Sequence, residues 1–416
     1  MTKKFFFQIL EIEKLLPNQW AQACLPLKAL ESDLVMILLN AYPASFMTSS
    51  PQLLSLFFKD DILNSQYGRT FQDSIARINL CIPEDSKKLK SNSLSYSSSK
   101  QLQHYYHKFY TDYAHSDFMN KMKECTSKYH KVRSLSIQGE LGGLFLIAGP
   151  KRDFKFTKQE FLIASWLRLG IPLKGFDHNY VCKCADNSKC KAPIGPNGQH
   201  CFVCKLGNLW SLRHNELRDI IYQLANDARV TRVVREPTSL FSTTINSDTG
   251  KPSMARPDIL IKDVPFDYWS QHRFYRDVIL DISVTYPATF NCINTGNSDI
   301  NQGSASKHAF NGKKNKYGKL NKSNLWITPI IFETFGFIHE KSESFLRRLI
   351  HLASENSFIR KSVLHSYWFK RLSVALHRSN ARMVLNFADR IKEDVKKSNP
   401  SSFDDTFKHC FNNPSM

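Results

Sequence analysis

The stretches "RPDIL" (256–260) and "VILDISVTYP" (278–287) decide the fold. Both are β-branched, apolar runs of strand type, and each carries an aspartate. A carboxylate in a buried strand costs several kcal/mol, on the order of 1–5, unless it is paired or holds a metal. Period-two alternation places Asp281 and Ser283 on one face of their strand, while Asp258 opens the strand before it. If those strands are neighbours, the two carboxylates converge.

Working outward, "LWSLRHNELRDIIYQLANDARV" carries Leu217, Ile220, Ile221, Leu224, Ala225 and Ala228 at spacings of three and four, which predicts a helix over 208–228. "VTRVVRE" (230–236), "PDILIK" (257–262) and "VILDISVTY" (278–286) predict three strands. A Lys-rich helix over 305–320 and a fourth strand in "NLWITPIIFETF" (324–335) follow. The order helix, strand, strand, strand, helix, strand predicts an α/β domain.

The chain of 416 residues carries 57 Lys+Arg against 37 Asp+Glu, a formal charge of +20. That excess predicts a polyanionic partner, DNA first and RNA second. A membrane partner is not expected. The longest apolar runs, "LVMILLNA" and "LGGLFLIAG", fall short of the roughly 20 residues that span a bilayer, and Gln8 and Glu11 interrupt the apolar start "MTKKFFFQILEIEK". An intracellular, nuclear protein is expected. Five of the ten cysteines fall between Cys182 and Cys204, whereas a secreted disulfide scaffold would spread pairs along the chain.

Within that cluster, Cys182-x-Cys184 and His200-x3-Cys204 bracket a Gly/Pro-rich loop. Two pairs of soft ligands around a turn suit a closed, tetrahedral, structural Zn²⁺ site. Cys190 and Cys201 are spare, and either can replace an assigned ligand. The alternative is a set of free thiols on a loop.

The expected organisation is a helical N-terminal region (1–84), a Ser/Lys-rich linker (85–100), a helical connector (101–180), a zinc knuckle (181–207), the α/β core (208–340) and C-terminal helices (341–416).

Reactive side chains surround the two aspartates. His214 and Arg218 stand four apart on one side of their helix. Glu236 ends the first strand, and Lys313 and Lys316 lie three apart on the Lys-rich helix with Tyr317 beside them. "FDYWSQHRFYRD" (266–277) interleaves aromatics with Arg273 and Arg276, a composition that stacks bases and contacts phosphate, or else forms a hairpin packed on the sheet.

The element order, "RPDIL" and the second acid in "LDISV" resemble the PD-(D/E)xK restriction-like endonuclease fold. More narrowly, "GQHCFVC", "RHNELRD", "REP", "RPDIL", "DISVTYP", "KKNKY" and "FETFGF" resemble the endonuclease region that follows reverse transcriptase in a class of non-long-terminal-repeat retrotransposons. "LPLKALESDLVMILLNAYPASF" and "EFLIASWLRLGIPL" resemble the segment between polymerase and nuclease in such elements. The resemblance implies a restriction-endonuclease-like mixed sheet flanked by helices, and a retrotransposon-derived DNA endonuclease without its polymerase domain.

It makes Asp258 and Asp281 the acids that hold Mg²⁺ or Mn²⁺, with Glu236 a candidate third acid and His214 a candidate base. Cys182, Cys184, His200 and Cys204 match its zinc knuckle. The fold's usual lysine, two residues after the second acid, is Ser283 here. In the retroelement branch that lysine has moved to the next helix, which makes Lys316 or Lys313 its counterpart. Arg218, Arg256, Arg273, Lys314, Lys319 and Lys322 are the candidate nucleic-acid contacts.

Blander readings stand beside these. Asp258 after a proline is also a strand-start turn residue, Asp281 also a partner for Arg276 or a helix lysine, and "KKNKYGKLNK" (313–322) also a solvated face. The alternative functions are a catalytically inactive nucleic-acid-binding protein that keeps the fold, and an interaction protein built on the zinc knuckle.

Overall fold

The computed structural model describes residues 115–398 except 150, 174–175, 177–180, 183–191, 205–207, 230–231, 239, 242–255, 267–273 and 321–324, together with Gln19, Ala76 and Asn79. The expected N-terminal helical region and Ser/Lys-rich linker therefore lie almost wholly outside the described residues. The chain divides into two units, Met1–Thr126 and Ser127–Met416. In the first, residues 115–124 form a helix with Phe118 and Met122 buried one turn apart.

The second unit opens with α1 (Lys128–Ser136), α2 (Leu141–Leu144) and α3 (Lys158–Leu169). Helix α3 starts at a capping box, in which the Thr157 hydroxyl accepts from the Glu160 N–H and the Glu160 carboxylate accepts from the Thr157 N–H. It ends at Gly170 in the left-handed conformation. Helix α4 (Leu209–Asp227) leads into β1 (Arg232–Arg235), β2 (Ile259–Phe266) and β3 (Phe274–Thr285). After the short α5 (Phe290–Asn294) come α6 (Ser304–Leu320), β4 (Trp326–Glu333), α7 (Glu340–Glu355) and α8 (Lys361–Ser398).

The four strands form one sheet in the order β1-β2-β3-β4. Pairing is antiparallel from β1 to β3 and parallel between β3 and β4. A parallel pair needs a crossover, and α6 supplies it. The sheet is thus mixed and flanked by helices.

Side-chain parity sorts the sheet into two faces. Ile259, Ile261, Val278, Leu280, Ile282, Ile330 and Phe332 join Leu217, Ile221 and Leu224 of α4 in the main core, with Leu346 and Leu349 of α7 and Trp368, Phe369 and Leu372 of α8. Leu260 and Ile279, on the opposite face, pack with Tyr317 of α6 and Phe241. The C-terminal helices, expected as a separate region, supply 11 of the 27 described buried residues of the main core. The zinc-knuckle segment and the second half of the connector also belong to this unit.

Strand β2 runs past its expected end at 262 through a register shift between Ile261 and Val264, where Asp263 has a φ of +53°. β3 starts earlier than expected, and Phe266 pairs with Phe274. The described ends of the aromatic-basic stretch, Phe266 and residues 274–277, therefore lie in paired strands, and residues 267–273 lie outside the described residues.

Helix α6 has a fixed origin. Gly303 has a φ of +73°, and a Cβ there would lie 2.4 Å from Cε1 of the Phe337 ring. Its carbonyl accepts from the Lys307 N–H at 2.9 Å. Glu333, at the end of β4 and 2 % exposed, accepts from the Ser306 N–H at 3.1 Å. Burial raises the Glu333 pKa, and the Ser306 N–H, an orphan donor of the first helical turn, opposes the rise. Among the described residues no helix is long and apolar enough to cross a membrane.

Candidate active site

The register places three carboxylates in a row. Arg235 faces Ile259, and Ile259 faces Leu280, so the next step brings Glu236, Asp258 and Asp281 side by side. Backbone bonds continue the row: the Glu236 N–H donates to the Asp258 carbonyl at 2.8 Å and the Asp258 N–H to the Leu280 carbonyl at 3.0 Å. By parity the row lies on the face of Leu260 and Ile279, which α6 covers.

Each aspartate has two partners. One Asp258 oxygen is 2.8 Å from His214 Nε2, and the other accepts from the Ile282 N–H at 2.6 Å. Asp281 is 7 % exposed, with Lys313 Nζ at 3.0 and 3.1 Å from its two oxygens. The Tyr317 hydroxyl lies beside the Asp281 carboxylate and donates to the Arg256 carbonyl at 3.3 Å. Burial raises the Asp281 pKa, and the charge of Asp258 pushes in the same direction against the opposing effect of Lys313. Burial also pushes the Tyr317 hydroxyl far up, so it stays a donor.

Glu236 is held by two guanidiniums, Arg218 on one oxygen and Arg256 on the other. Arg218 also binds Asp219 through Nε and Nη2, both at 3.0 Å. His214 and Arg218, one turn apart on α4, thus each hold one carboxylate of the row.

Of the two candidate lysines, Lys313 reaches Asp281. Lys316 instead lies on the exposed side of α6, its Nζ 5.1 Å from the Tyr317 ring centroid. Three residues of helix turn a side chain by about 300°, enough to swing Lys316 off the sheet. Arg276 does not pair with Asp281: its guanidinium stands 5.8 Å from the Trp326 ring centroid. Lys314 and Lys319 are exposed on α6, and Arg273, Lys322 and Cys184 lie outside the described residues. Two contributors are missed by a reading of the sequence: the Ile282 N–H, a backbone group without sequence signal, and the Asp219 side chain, which anchors Arg218 and has Arg235 at 3.2 Å.

The second cluster is Cys182, His200 and Cys204, all buried, with ligand atoms within 4.8 Å of one another. The two sulfurs are 3.9 Å apart. Two short-range bonds bring them together. The Cys182 N–H donates to the Ala192 carbonyl at 2.9 Å, closing the loop, and the Cys204 N–H to the His200 carbonyl at 3.0 Å. Burial lowers the His200 pKa, favouring the neutral imidazole that binds metals. The cluster can hold a metal ion. Cys201 is not in it; burial pushes its thiol well up.

Chemically, the first site offers hard oxygen donors beside an ammonium and a guanidinium pair, and the second offers soft donors alone. No family model and no curated protein matches the chain.

Proposed function

We propose that the protein is a metal-dependent DNA endonuclease of restriction-like fold, derived from a retrotransposon. The observation that carries this reading is the register-matched pair Asp258–Asp281 with the Lys313 ammonium brought onto it by the crossover helix. Two carboxylates in adjacent strands, one with its pKa raised by burial and by the other's charge, are a donor set that a divalent cation relieves.

Asp258 and Asp281 would hold Mg²⁺ or Mn²⁺, which when bound supplies Lewis acidity and an acidified water to phosphodiester hydrolysis. His214 and the Ile282 N–H orient Asp258. The Lys313 ammonium offsets charge developing on the phosphate. Lys314, Lys319 and Arg256 offer positive charge to the backbone, consistent with the +20 of the chain. Cys182, His200 and Cys204 would hold a structural Zn²⁺, with Cys184 the fourth ligand that the spacing suggests. A nucleus-located nuclease acting on DNA fits these charges.

One observation favours a second reading, a binding protein without cleavage: Ser283 stands where the restriction-like motif has its lysine. Incubation of the purified protein with supercoiled plasmid, in Mg²⁺ and in chelator, separates the two. Mg²⁺-dependent nicking is expected; retarded but intact plasmid would select the binder.

A further inference from the structure

Glu236 holds a backbone conformation that side chains avoid. Its φ of +49° is left-handed, and the following Pro237 narrows its choices further. A non-glycine residue persists there only when its surroundings hold it. Here the Asp258 carbonyl takes its N–H at 2.8 Å, and Arg218 and Arg256 take its two oxygens.

The two arginines differ. The Arg218 side chain is 8 % exposed and divides its donors between Asp219 and Glu236. The Arg256 side chain is 51 % exposed, and among the described residues its guanidinium donates to Glu236 alone. Its backbone is also tied down, since its carbonyl accepts from the Tyr317 hydroxyl at 3.3 Å. Arg256 is therefore anchored at both ends of its stem, two residues from Asp258, with most of its five N–H donors turned to no other group among the described residues. A planar fork of donors suits phosphate oxygens.

We propose that Glu236 is a positioning residue and not a metal ligand: it holds Arg256 as the seat for a backbone phosphate neighbouring the one over Asp258 and Asp281. This rests on the nuclease reading above. A cation at Glu236 would stand beside two guanidiniums that repel it, whereas a phosphate arriving at Arg256 is attracted and displaces neither.

The sign of one measurement tests it. A carboxylate that merely stands near DNA repels it, so Glu236→Gln should then tighten binding. A carboxylate that positions an arginine should weaken binding when removed, and only while that arginine is present. DNA affinity of the full chain is measured in chelator for wild type, Glu236→Gln, Arg256→Ala and the double variant.

Glu236→Gln is expected to weaken binding about threefold in the wild-type background and not at all in Arg256→Ala. Arg256→Ala should lower the log–log salt slope by about 0.9. Mn²⁺ affinity without DNA, read by electron paramagnetic resonance, should stay within twofold in Glu236→Gln. Tighter DNA binding, an unchanged effect in the Arg256→Ala background, or a tenfold loss of Mn²⁺ affinity would overturn the assignment. If Glu236→Gln does not fold, an unchanged salt slope in Arg256→Ala overturns it and the expected drop supports it. Wild-type protein without DNA affinity would overturn the nucleic-acid reading itself and this inference with it.

Discussion

The Lys313 ammonium lies 3.0 and 3.1 Å from the two carboxylate oxygens of Asp281, across a sequence separation of 32. Lys316, one turn on, makes no such contact. Lys313→Met is expected to slow Mg²⁺-dependent nicking by about 10²-fold or more, with DNA affinity little changed. Lys316→Met should stay within about threefold of wild type, the scale of a surface charge. Time courses of plasmid nicking compare the two, and equal losses would sink the assignment of Lys313.

The aspartates themselves should separate catalysis from stability. Asp258→Asn and Asp281→Asn remove the charge and keep the shape. Each is expected to abolish nicking while leaving the melting temperature within a few degrees, because ionised Asp281 is already disfavoured by burial and by Asp258. Wild-type cleavage in either variant contradicts the metal-holding role, and unfolding of both would make the ion pairs structural.

Metal analysis of the purified protein should find about one zinc per chain. Cys204→Ser and His200→Ala each remove a ligand from a buried cluster, and structural metal contributes directly to folding free energy. Both should lower the melting temperature, as should prolonged chelation. A folded, zinc-free protein of unchanged stability would refute the site.

Acid should destabilise the fold through histidines that burial keeps neutral. Burial pushes His377 from 6.5 to about 3, and His130 from 6.5 to about 4. His377 Nε2 lies 3.1 Å from the Leu141 carbonyl, where the neutral ring donates. The folded pKa is the lower one, so the unfolded chain takes up these protons first. The stability contribution is complete above pH 6.5 and is lost as pH falls toward 3, on the order of 5 kcal/mol for His377 alone. Urea titrations at pH 7.5 and 5 should show the fall, and His377→Gln should flatten it. Equal slopes for both proteins would contradict the assignment.

Salt offers a further check on the exposed face of α6. Replacing Lys314 and Lys319 with alanine should lower the slope of log affinity against log salt by about 0.9 for each DNA phosphate that a lysine neutralises in the wild type. An unchanged slope would move the DNA path elsewhere.

Much of the site is legible in the sequence because its parts are local. Strand periodicity locates Asp258 and Asp281, and a turn of helix locates His214 with Arg218. The choice between Lys313 and Lys316 is not legible, since both sit on one helix and only its phase against β3 decides which faces the sheet. The Ile282 N–H carries no sequence signal at all, being a backbone group. The full length of β2 escapes the sequence because Lys262 and Asp263 interrupt the apolar alternation just where the register shifts. The C-terminal helices look separate because an amphipathic stripe announces burial but not the partner that provides it.

Lys313 is seven residues on from Ser306, close to two full turns, and Ser306 is tied to the end of β4 through Glu333. The helix between them acts as a goniometer with its zero locked. A single inserted residue there would rotate the ammonium by about 100° and advance it about 1.5 Å, taking it off Asp281. Length changes in the segment between β3 and α6, which holds α5, leave that angle alone. Chains sharing this architecture should therefore vary freely before Gly303 and keep a constant count from there to the lysine.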